Sequence, residues 1–244
     1  MKGLIRRLLF PPRCAACREL SDWYPESVAL CENCQADWEN QKGERCLICG
    51  ARVCDCDCMT EEMKKAKCEA LGKLVYYHPN TRKPTQNRLL YAIKEHKTRH
   101  NFAFLAREML PLVERFVKET DPASVVITYL PRTREAKRKY EVDQAEELAR
   151  AISKRSGISV TCLLERLGGK PQKELSREAR IRNARQSYQL KGAPDLKGKT
   201  ILLVDDVVTT GAGMAVGARL LRRAGAKRVF CVAVATDICN REIL

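Results

Sequence analysis

The densest group of residues able to do chemistry follows a short apolar run near the end of the chain. Ile201–Val204 is followed by the carboxylates Asp205 and Asp206 and then by a Thr/Gly turn at 209–213. Backbone N–H groups in such a turn, together with the dipole of a following helix, favour phosphate. Adjacent carboxylates suit the vicinal hydroxyls of a ribose. The pattern predicts a phosphate site at the carboxyl edge of a sheet; a glycine-capped helix start with two solvated Asp residues is the alternative.

A second group consists of cysteines, because ten of the 13 in the chain lie between Cys14 and Cys68. Two C-x-x-C pairs direct four thiolates at one point and so predict a closed, structural Zn²⁺ site. Its ligands are Cys14, Cys17, Cys31 and Cys34. A second site would use Cys46 and Cys49 with two of Cys54, Cys56, Cys58 and Cys68, a choice that the spacing leaves open. A disulfide scaffold and a redox pair are the alternatives; the first needs an oxidising compartment and the second a βαβ context.

The elements that must position these groups are read from apolar periodicity. Strands are predicted at 74–77, 125–130, 158–163, 201–204 and 228–235, and helices at 89–94, 102–117, 145–152 and 214–224. The stretch from Arg166 to Lys199 is polar and predicts a long loop with little core. Alternating strands and helices indicate an α/β fold with a parallel sheet. We expect two domains, 1–72 (cysteine-rich, zinc-binding) and 73–244.

Charge and hydropathy restrict the class of partner. The net charge is +15, and residues 1–75 hold 12 basic and 12 acidic residues, so the excess lies in 76–244. A basic surface there suits a phosphorylated metabolite or nucleic acid, with a solvated basic face as the alternative. No apolar run approaches the roughly 20 residues that span a bilayer. The start of the chain predicts a short amphipathic helix rather than a signal peptide, so we expect a cytoplasmic protein or one at the inner face of the membrane.

The stretch 201–213 resembles the 5-phosphoribosyl-1-pyrophosphate (PRPP) motif of type I phosphoribosyltransferases. With the cysteine pairs in front, the chain resembles the ComF family, which is competence-protein-F-like and amidophosphoribosyltransferase-like. Ile93-Lys94, the segment 129–145 and the segment 172–183 are similar to further stretches of that family. The resemblance implies a type I phosphoribosyltransferase domain behind an N-terminal zinc ribbon.

The resemblance also implies roles for single residues. Asp205 and Asp206 would hold the ribose of PRPP. The 5′-phosphate would be wrapped by Thr209, Thr210, Gly211, Ala212 and Gly213. The loop Pro131–Tyr140 would face the pyrophosphate through Arg132, Arg134, Lys137, Arg138 and Lys139, with Mg²⁺ neutralising the leaving group. The 166–188 segment would be mobile over the site.

Two positions depart from the family pattern. Glu141-Val142 stands where the family usually has Gly-Phe, and Gly213 stands where a Ser or Thr hydroxyl often binds the phosphate. A carboxylate at 141 would weaken a nearby anion site, and glycine at 213 leaves one donor missing. We expect the backbone cradle to survive both changes.

Two functions follow from the resemblance. In the first, the chain binds PRPP with Mg²⁺ and serves DNA uptake in natural competence, handling single-stranded DNA or a DNA-uptake helicase. In the alternative, it is an active phosphoribosyltransferase of nucleotide or amine metabolism with an unidentified acceptor. Aromatic residues form only 6% of the chain and are not interleaved with basic ones, so a stacking platform for single strands is weak, whereas simple phosphate contact suffices for binding.

Overall fold

The computed structural model describes residues 11, 13–20, 29–79, 81–95, 99–140, 142–167 and 187–237. The α-helices are α1 (Glu32–Lys42), α2 (Glu61–Lys65), α3 (Thr85–Glu95), α4 (Arg99–Val117), α5 (Arg134–Tyr140), α6 (Gln144–Ser156) and α7 (Ala212–Arg223). The strands are β1 (Leu71–Tyr77), β2 (Val125–Tyr129), β3 (Leu164–Arg166), β4 (Tyr188–Leu190), β5 (Thr200–Val208) and β6 (Arg228–Asp237).

Four of the strands form one parallel sheet in the order β1-β6-β5-β2. Leu203 of β5 pairs with Cys231 of β6, and Tyr129 of β2 pairs with Val204. Because all four strands run in the same direction, their carboxyl ends meet at one edge of the sheet. The α/β class with a parallel sheet is therefore confirmed.

Helices cover both faces of this sheet, which explains why the run Ile201–Val204 of β5 is apolar without alternation. Leu202 and Val204 belong to the core formed with α4 and α6, whereas Ile201 and Leu203 belong to the core formed with α7. All four side chains are fully buried. Each contributes about 1.5–3 kcal/mol by leaving water, so the strand that carries the carboxylates is firmly anchored.

Two helices are longer than their apolar periodicity predicts. The helix predicted to begin at 89 begins at Thr85, whose N–H donates to Asp37 Oδ2 over 2.8 Å. Gln86 and Asn87 of the same turn are fully buried and hydrogen-bonded. The helix predicted from 102 begins at Arg99. Polar first turns, whether buried as at Gln86 and Asn87 or exposed as at His100, do not register in an apolar pattern, which is why the predicted starts are late.

The strand predicted at 158–163 is wrong. Val160 makes only an isolated parallel bridge to Ile127, and Leu163 N–H then bonds to the Thr128 hydroxyl, which turns the chain away from the sheet. The next strand, β3, begins at Leu164, one residue after the predicted strand would end. It pairs antiparallel with β4 and is not part of the parallel sheet. The predicted loop 166–199 accordingly contains β4, and Tyr188 and Leu196 in it are buried. Residues 168–186 lie outside the described part.

The cysteine-rich segment packs on both sides of the sheet. Trp38 of α1 is fully buried, its ring lies 5.8 Å from that of Phe104, and its indole N–H donates to Glu108. Met63 of α2 is fully buried in the core on the opposite face. The division at residue 72 stays a prediction; β1 begins at Leu71. No helix in the described part of the chain combines the length and the apolar character that a membrane crossing requires.

Candidate functional site

The two carboxylates lie in the C-terminal half of β5, towards the carboxyl edge of the sheet. Asp205 Oδ1 accepts the N–H of Asp206 over 2.9 Å, and Asp206 Oδ1 accepts the N–H of Val207 over 2.8 Å. Asp206 Oδ2 is buried and has no hydrogen-bond partner. The Lys94 ammonium of α3 lies 3.8 Å from it. A buried acceptor left in this way is suited to a ligand hydroxyl or a cation.

The pair resists carrying two negative charges. Burial raises the pKa of Asp205 well above its ordinary value, and the charge of Asp206 raises it further. Both causes disfavour the ionised form of Asp205. A ligand that brings positive charge to this edge would therefore favour the doubly ionised pair.

The Thr/Gly turn at 209–213 follows β5 directly and leads into the 12-residue helix α7. Gly211 has a φ of 72°, the left-handed conformation that glycine adopts without steric cost. The Thr210 hydroxyl accepts the N–H of Ala212 over 3.3 Å, so its own proton is free to be donated. Thr209 and Gly213 are half-buried at the ends of the turn. The turn brings the N-terminus of α7, with its dipole, and the Thr209 hydroxyl close to the carboxylates in the chain.

Tyr188 occupies the space beside Gly213. A Cβ placed on Gly213 would lie 3.7 Å from the Tyr188 hydroxyl and 3.3 Å from Leu130. Burial raises the pKa of Tyr188 to about 12, so the hydroxyl keeps its proton and is able to donate it to a ligand. Arg166, its partner in the β3–β4 pair, lies over the ring at 5.4 Å from Cζ to the centroid, and its Nε is buried with no hydrogen-bond partner. The donor missing at Gly213 is thus matched by a hydroxyl nearby.

The loop at 131–140 is held by two acids, Glu146 of α6 and Asp143, which directly precedes that helix. Arg132 N–H donates to Asp143 Oδ2 over 2.8 Å. The Lys137 ammonium lies 3.2 Å from the same oxygen and 3.0 Å from Glu146 Oε2. Burial alone would lower the pKa of Lys137, but the bond to Glu146 and the charge of Asp143 outweigh it and raise the pKa. Lys137 is therefore a neutralised cation that fastens the loop.

The remaining predicted cations of this loop differ in placement. Arg134 and Arg138 are exposed on α5, and Arg132 is half-buried with an interaction of its own. The side chain of Lys139 and the residue Glu141 lie outside the described part. Arg134 and Arg138 are thus the exposed cations among the described side chains of α5.

The first cysteine cluster brings together the four sulfurs that the spacing predicted, all within 4.8 Å of one another: Cys14, Cys17, Cys31 and Cys34. Burial raises the pKa of Cys14, but backbone N–H groups of Cys17 and Cys31 directed at its sulfur overcome this and lower it to about 7. One thiolate is thus available at neutral pH. The Arg88 guanidinium of α3 donates to Cys34 Sγ over 3.5 Å.

The second cluster resolves the choice that the sequence left open. Its four sulfurs, again within 4.8 Å, belong to Cys46, Cys49, Cys56 and Cys58. Cys54 and Cys68 are not members. Cys54 contacts the Asp55 carboxylate, and Cys68 Sγ lies 3.8 Å from Cys231 Sγ in the buried core. The C-D-C-D-C run does not reveal this, because only the fold decides which sulfurs converge.

Both clusters fit a tetrahedral metal site. Each offers four sulfur donors and no carboxylate, a set typical of structural zinc or iron–sulfur sites, and neither leaves an open position for substrate.

The resemblance placed the 166–188 segment over the site, but sequence reasoning did not single out Arg166, Tyr188 or Glu146, and it named Asp143 only as part of a resembling segment. Asp143 directly precedes α6, at the N-cap position where acids are common. That position is a signal that could have been read. Tyr188 and Arg166 flank a polar stretch of 21 residues, and no pattern indicates that they pair.

Comparison with known proteins identifies the domain type. Residues 123–242 match the model of the phosphoribosyl transferase domain family. Over 39 residues the chain is 54% identical to the ribose-phosphate pyrophosphokinase of Nostoc sp., covering 16% of this chain and 12% of that protein. Over 36 residues it is 50% identical to the ribose-phosphate pyrophosphokinase of Thermococcus kodakarensis, covering 15% of this chain and 13% of that protein. The chain thus spans about an eighth of the length of these curated relatives.

Among solved structures, the purine phosphoribosyltransferase of Pyrococcus horikoshii is similar to this chain. The identity is 18%, the alignment covers 55% of this chain and 74% of that one, and the TM-score is 0.33. The match to the family model covers β2, β5, α7 and the turn at 209–213. The chain therefore contains a phosphoribosyltransferase-type domain.

Proposed function

We propose that this domain binds PRPP, with the 5′-phosphate on the turn at 209–213 and the ribose hydroxyls at Asp205 and Asp206. The observation that carries the proposal is the left-handed Gly211 at the start of α7, in the turn that follows the strand with the two carboxylates, at the carboxyl edge of the sheet. Open α/β sheets bind ligands at this edge, and helix N-termini there favour phosphate. The Tyr188 hydroxyl supplies a further donor beside Gly213.

The pyrophosphate lies towards α5 in this proposal. Arg134 and Arg138 supply positive charge, whereas Lys137 holds the loop in place through Asp143 and Glu146. The buried Asp206 Oδ2, which has no hydrogen bond and only the Lys94 ammonium nearby, suits a divalent cation. Mg²⁺, when bound, neutralises charge on the leaving pyrophosphate.

Transfer and binding alone are distinct outcomes of the same site. In transfer, a lone pair of the acceptor forms a bond to the ribose anomeric carbon while the bond from that carbon to the pyrophosphate oxygen breaks. The electron pair leaves with pyrophosphate, and a base takes the proton of the acceptor. The acceptor stays unidentified. The ComF-type role in DNA uptake, its single-stranded DNA and helicase partners, and a cytoplasmic or inner-membrane-face location stay predictions of the resemblance.

Thermal melting with PRPP and Mg²⁺ tests the proposal. A ligand at about 100 times its dissociation constant adds roughly 2.7 kcal/mol of stability. We expect the wild type to show this shift and the double variant D205A/D206A to lose it. The double variant E114A/E119A changes the charge equally at exposed positions of α4 and the turn after it, and it should keep the shift. A wild type that PRPP does not stabilise contradicts the proposal. Where PRPP does bind, measuring pyrophosphate release with a panel of nucleobases and amines separates transfer from binding alone.

We further propose that each cysteine cluster holds one structural Zn²⁺. The support is the all-sulfur donor set, four sulfurs within 4.8 Å in each cluster. Fixed zinc would supply folding energy to a segment with few apolar residues.

A further inference from the structure

The second cysteine cluster and the phosphate-binding turn are joined by a very short stretch of chain. Only Met59 separates Cys58 from Thr60, which is the N-cap residue of α2. Thr60 and Met63 lie directly against Gly211: a Cβ placed on Gly211 would overlap the Thr60 hydroxyl and lie 3.1 Å from Met63 Sδ. The absence of a side chain at 211 is therefore what allows α2 to approach the turn.

The contact between α2 and Gly211 is buried, and it depends on packing rather than on a hydrogen bond of Thr60. The Thr60 hydroxyl is buried without a hydrogen bond and does not cap α2. Met63 is fully buried, and Glu62 forms an ion pair with Arg219 of α7 at 3.9 Å. Close packing of this kind resists movement of the turn. The position of α2 thus restrains the backbone at Gly211.

The cluster is in turn tied to the sheet by a buried lysine. Lys73 of β1 is 2% exposed, and its ammonium donates to Cys58 O over 2.7 Å, to Cys56 O over 3.2 Å and to Cys56 Sγ over 3.3 Å. Four thiolates around a divalent metal carry a net negative charge that this ammonium partly offsets. The residues that lead into α2 are thereby fixed from both sides when the metal is bound.

The first cluster provides an internal comparison. Cys14 and Cys34 belong to the core on the other face of the sheet, together with Trp38 and α4. Met63 and Ala212 belong to the opposite core. The first cluster therefore packs on the face of the sheet opposite to Met63 and α7, whereas the second cluster leads directly into the segment that touches Gly211.

We propose that the second cluster positions the phosphate-binding turn, with Thr60 and Met63 as the positioning residues. Metal bound by Cys46, Cys49, Cys56 and Cys58 holds α2 against Gly211, so metal binding there and anion binding at the turn strengthen each other by the same factor. The identity of the anion rests on the proposed function; the restraint on the turn does not.

Hydrogen exchange of the turn tests the restraint without any ligand. The variant C49S removes an exposed ligand of the second cluster, and C17S removes a half-buried ligand of the first. We expect each full-length variant to lose one zinc by elemental analysis. Amide exchange in a peptide covering 209–213 should accelerate about tenfold in C49S and stay at the wild-type rate in C17S. An unaltered rate in C49S, or equal acceleration in both, overturns the proposal.

A second variant covers the case in which C49S does not fold. M63A keeps all eight thiolates and should retain both zinc ions, yet it should accelerate exchange in the same peptide because the contact with Gly211 is lost. A wild-type exchange rate in M63A contradicts the positioning role.

Binding of ribose 5-phosphate by calorimetry separates the two proposals. We expect C49S to bind it about tenfold more weakly than the wild type and C17S to bind it equally. If the wild type itself does not bind, the proposed function fails while the exchange data still judge the restraint. If the wild type binds and C49S binds equally well, the proposed function stands and the coupling is refuted.

Discussion

At the end of β5, Asp205 combines burial with a charged neighbour, and both raise its pKa. In the unfolded chain the same carboxyl titrates near its ordinary pKa of about 3.9. Below that value it is protonated in both states and does not alter the free energy of unfolding. Between that value and the raised pKa of the folded state, the native protein keeps a proton that the unfolded chain has lost. The free energy of unfolding therefore falls as the pH rises towards the folded pKa. The residue therefore destabilises the ligand-free protein at neutral pH.

Replacing this residue separates stability from binding. We expect D205N to raise the melting temperature at pH 8 and to leave it nearly unchanged at pH 4, since the amide carries no charge to bury. Each kcal/mol gained corresponds to about 2–4 °C in a chain of this size. Differential scanning calorimetry over this pH range measures the effect. An equal gain at both pH values would show that charge is not the cause.

Tyr188 is a second residue whose role is visible only in three dimensions. Because its hydroxyl lies beside Gly213 and keeps its proton, Y188F should weaken binding of ribose 5-phosphate about 3- to 10-fold, the loss of one hydrogen bond. Y77F removes a hydroxyl that bonds to Tyr91 instead and should bind as the wild type does. Calorimetric titration of both variants makes the comparison, and equal affinities would remove Tyr188 from the phosphate site.

At the scale of elements, buried apolar runs such as 201–204 and helix ends at Gly157 were predictable, because burial and left-handed φ values leave local marks. The pairing of Arg166 with Tyr188 was not, since it depends on two distant strands meeting. The ion pairs of Lys137 could not be predicted for the same reason. The sequence shows a cation, but only the folded structure shows that Asp143 and Glu146 lie beside it. The Thr/Gly turn before α7 was predictable, because its residues are adjacent along the chain; its phosphate-binding role stays a prediction.

The turn itself can be tested with a matched pair of glycines. Gly211 and Gly157 have φ values of 72° and 75°, but a Cβ on Gly157 meets nothing within 4 Å. A left-handed alanine costs about 1–2 kcal/mol at either position. G211A adds the overlap with Thr60 and should lower affinity for ribose 5-phosphate more than tenfold, whereas G157A should lose stability alone. Similar affinities in the two variants would show that the backbone at 211 does not shape the site.

At the scale of the whole molecule, the cysteine-rich segment and the sheet share their cores. Trp38 and Met63 are fully buried on opposite faces, and Lys73 of β1 reaches the second cluster. A boundary drawn from composition follows the cysteines, but composition carries no information about which side chains a segment buries. The zinc clusters are thus expected to affect more of the chain than the segment that binds them.

Metal content and unfolding test this expectation together. The wild type should contain two zinc ions per chain, and C31S should retain one, because each cluster has four ligands and no spare sulfur. Since α1 carries both Cys34 and the buried Trp38, loss of the first zinc should lower the stability of the sheet as well. W38A, which removes the shared side chain and no ligand, should cost about 3–5 kcal/mol and keep both ions.

Urea unfolding followed by circular dichroism and by zinc release should give coincident midpoints for the wild type. A C31S variant with wild-type zinc content would refute the ligand assignment, and well-separated midpoints would show that the two parts unfold independently.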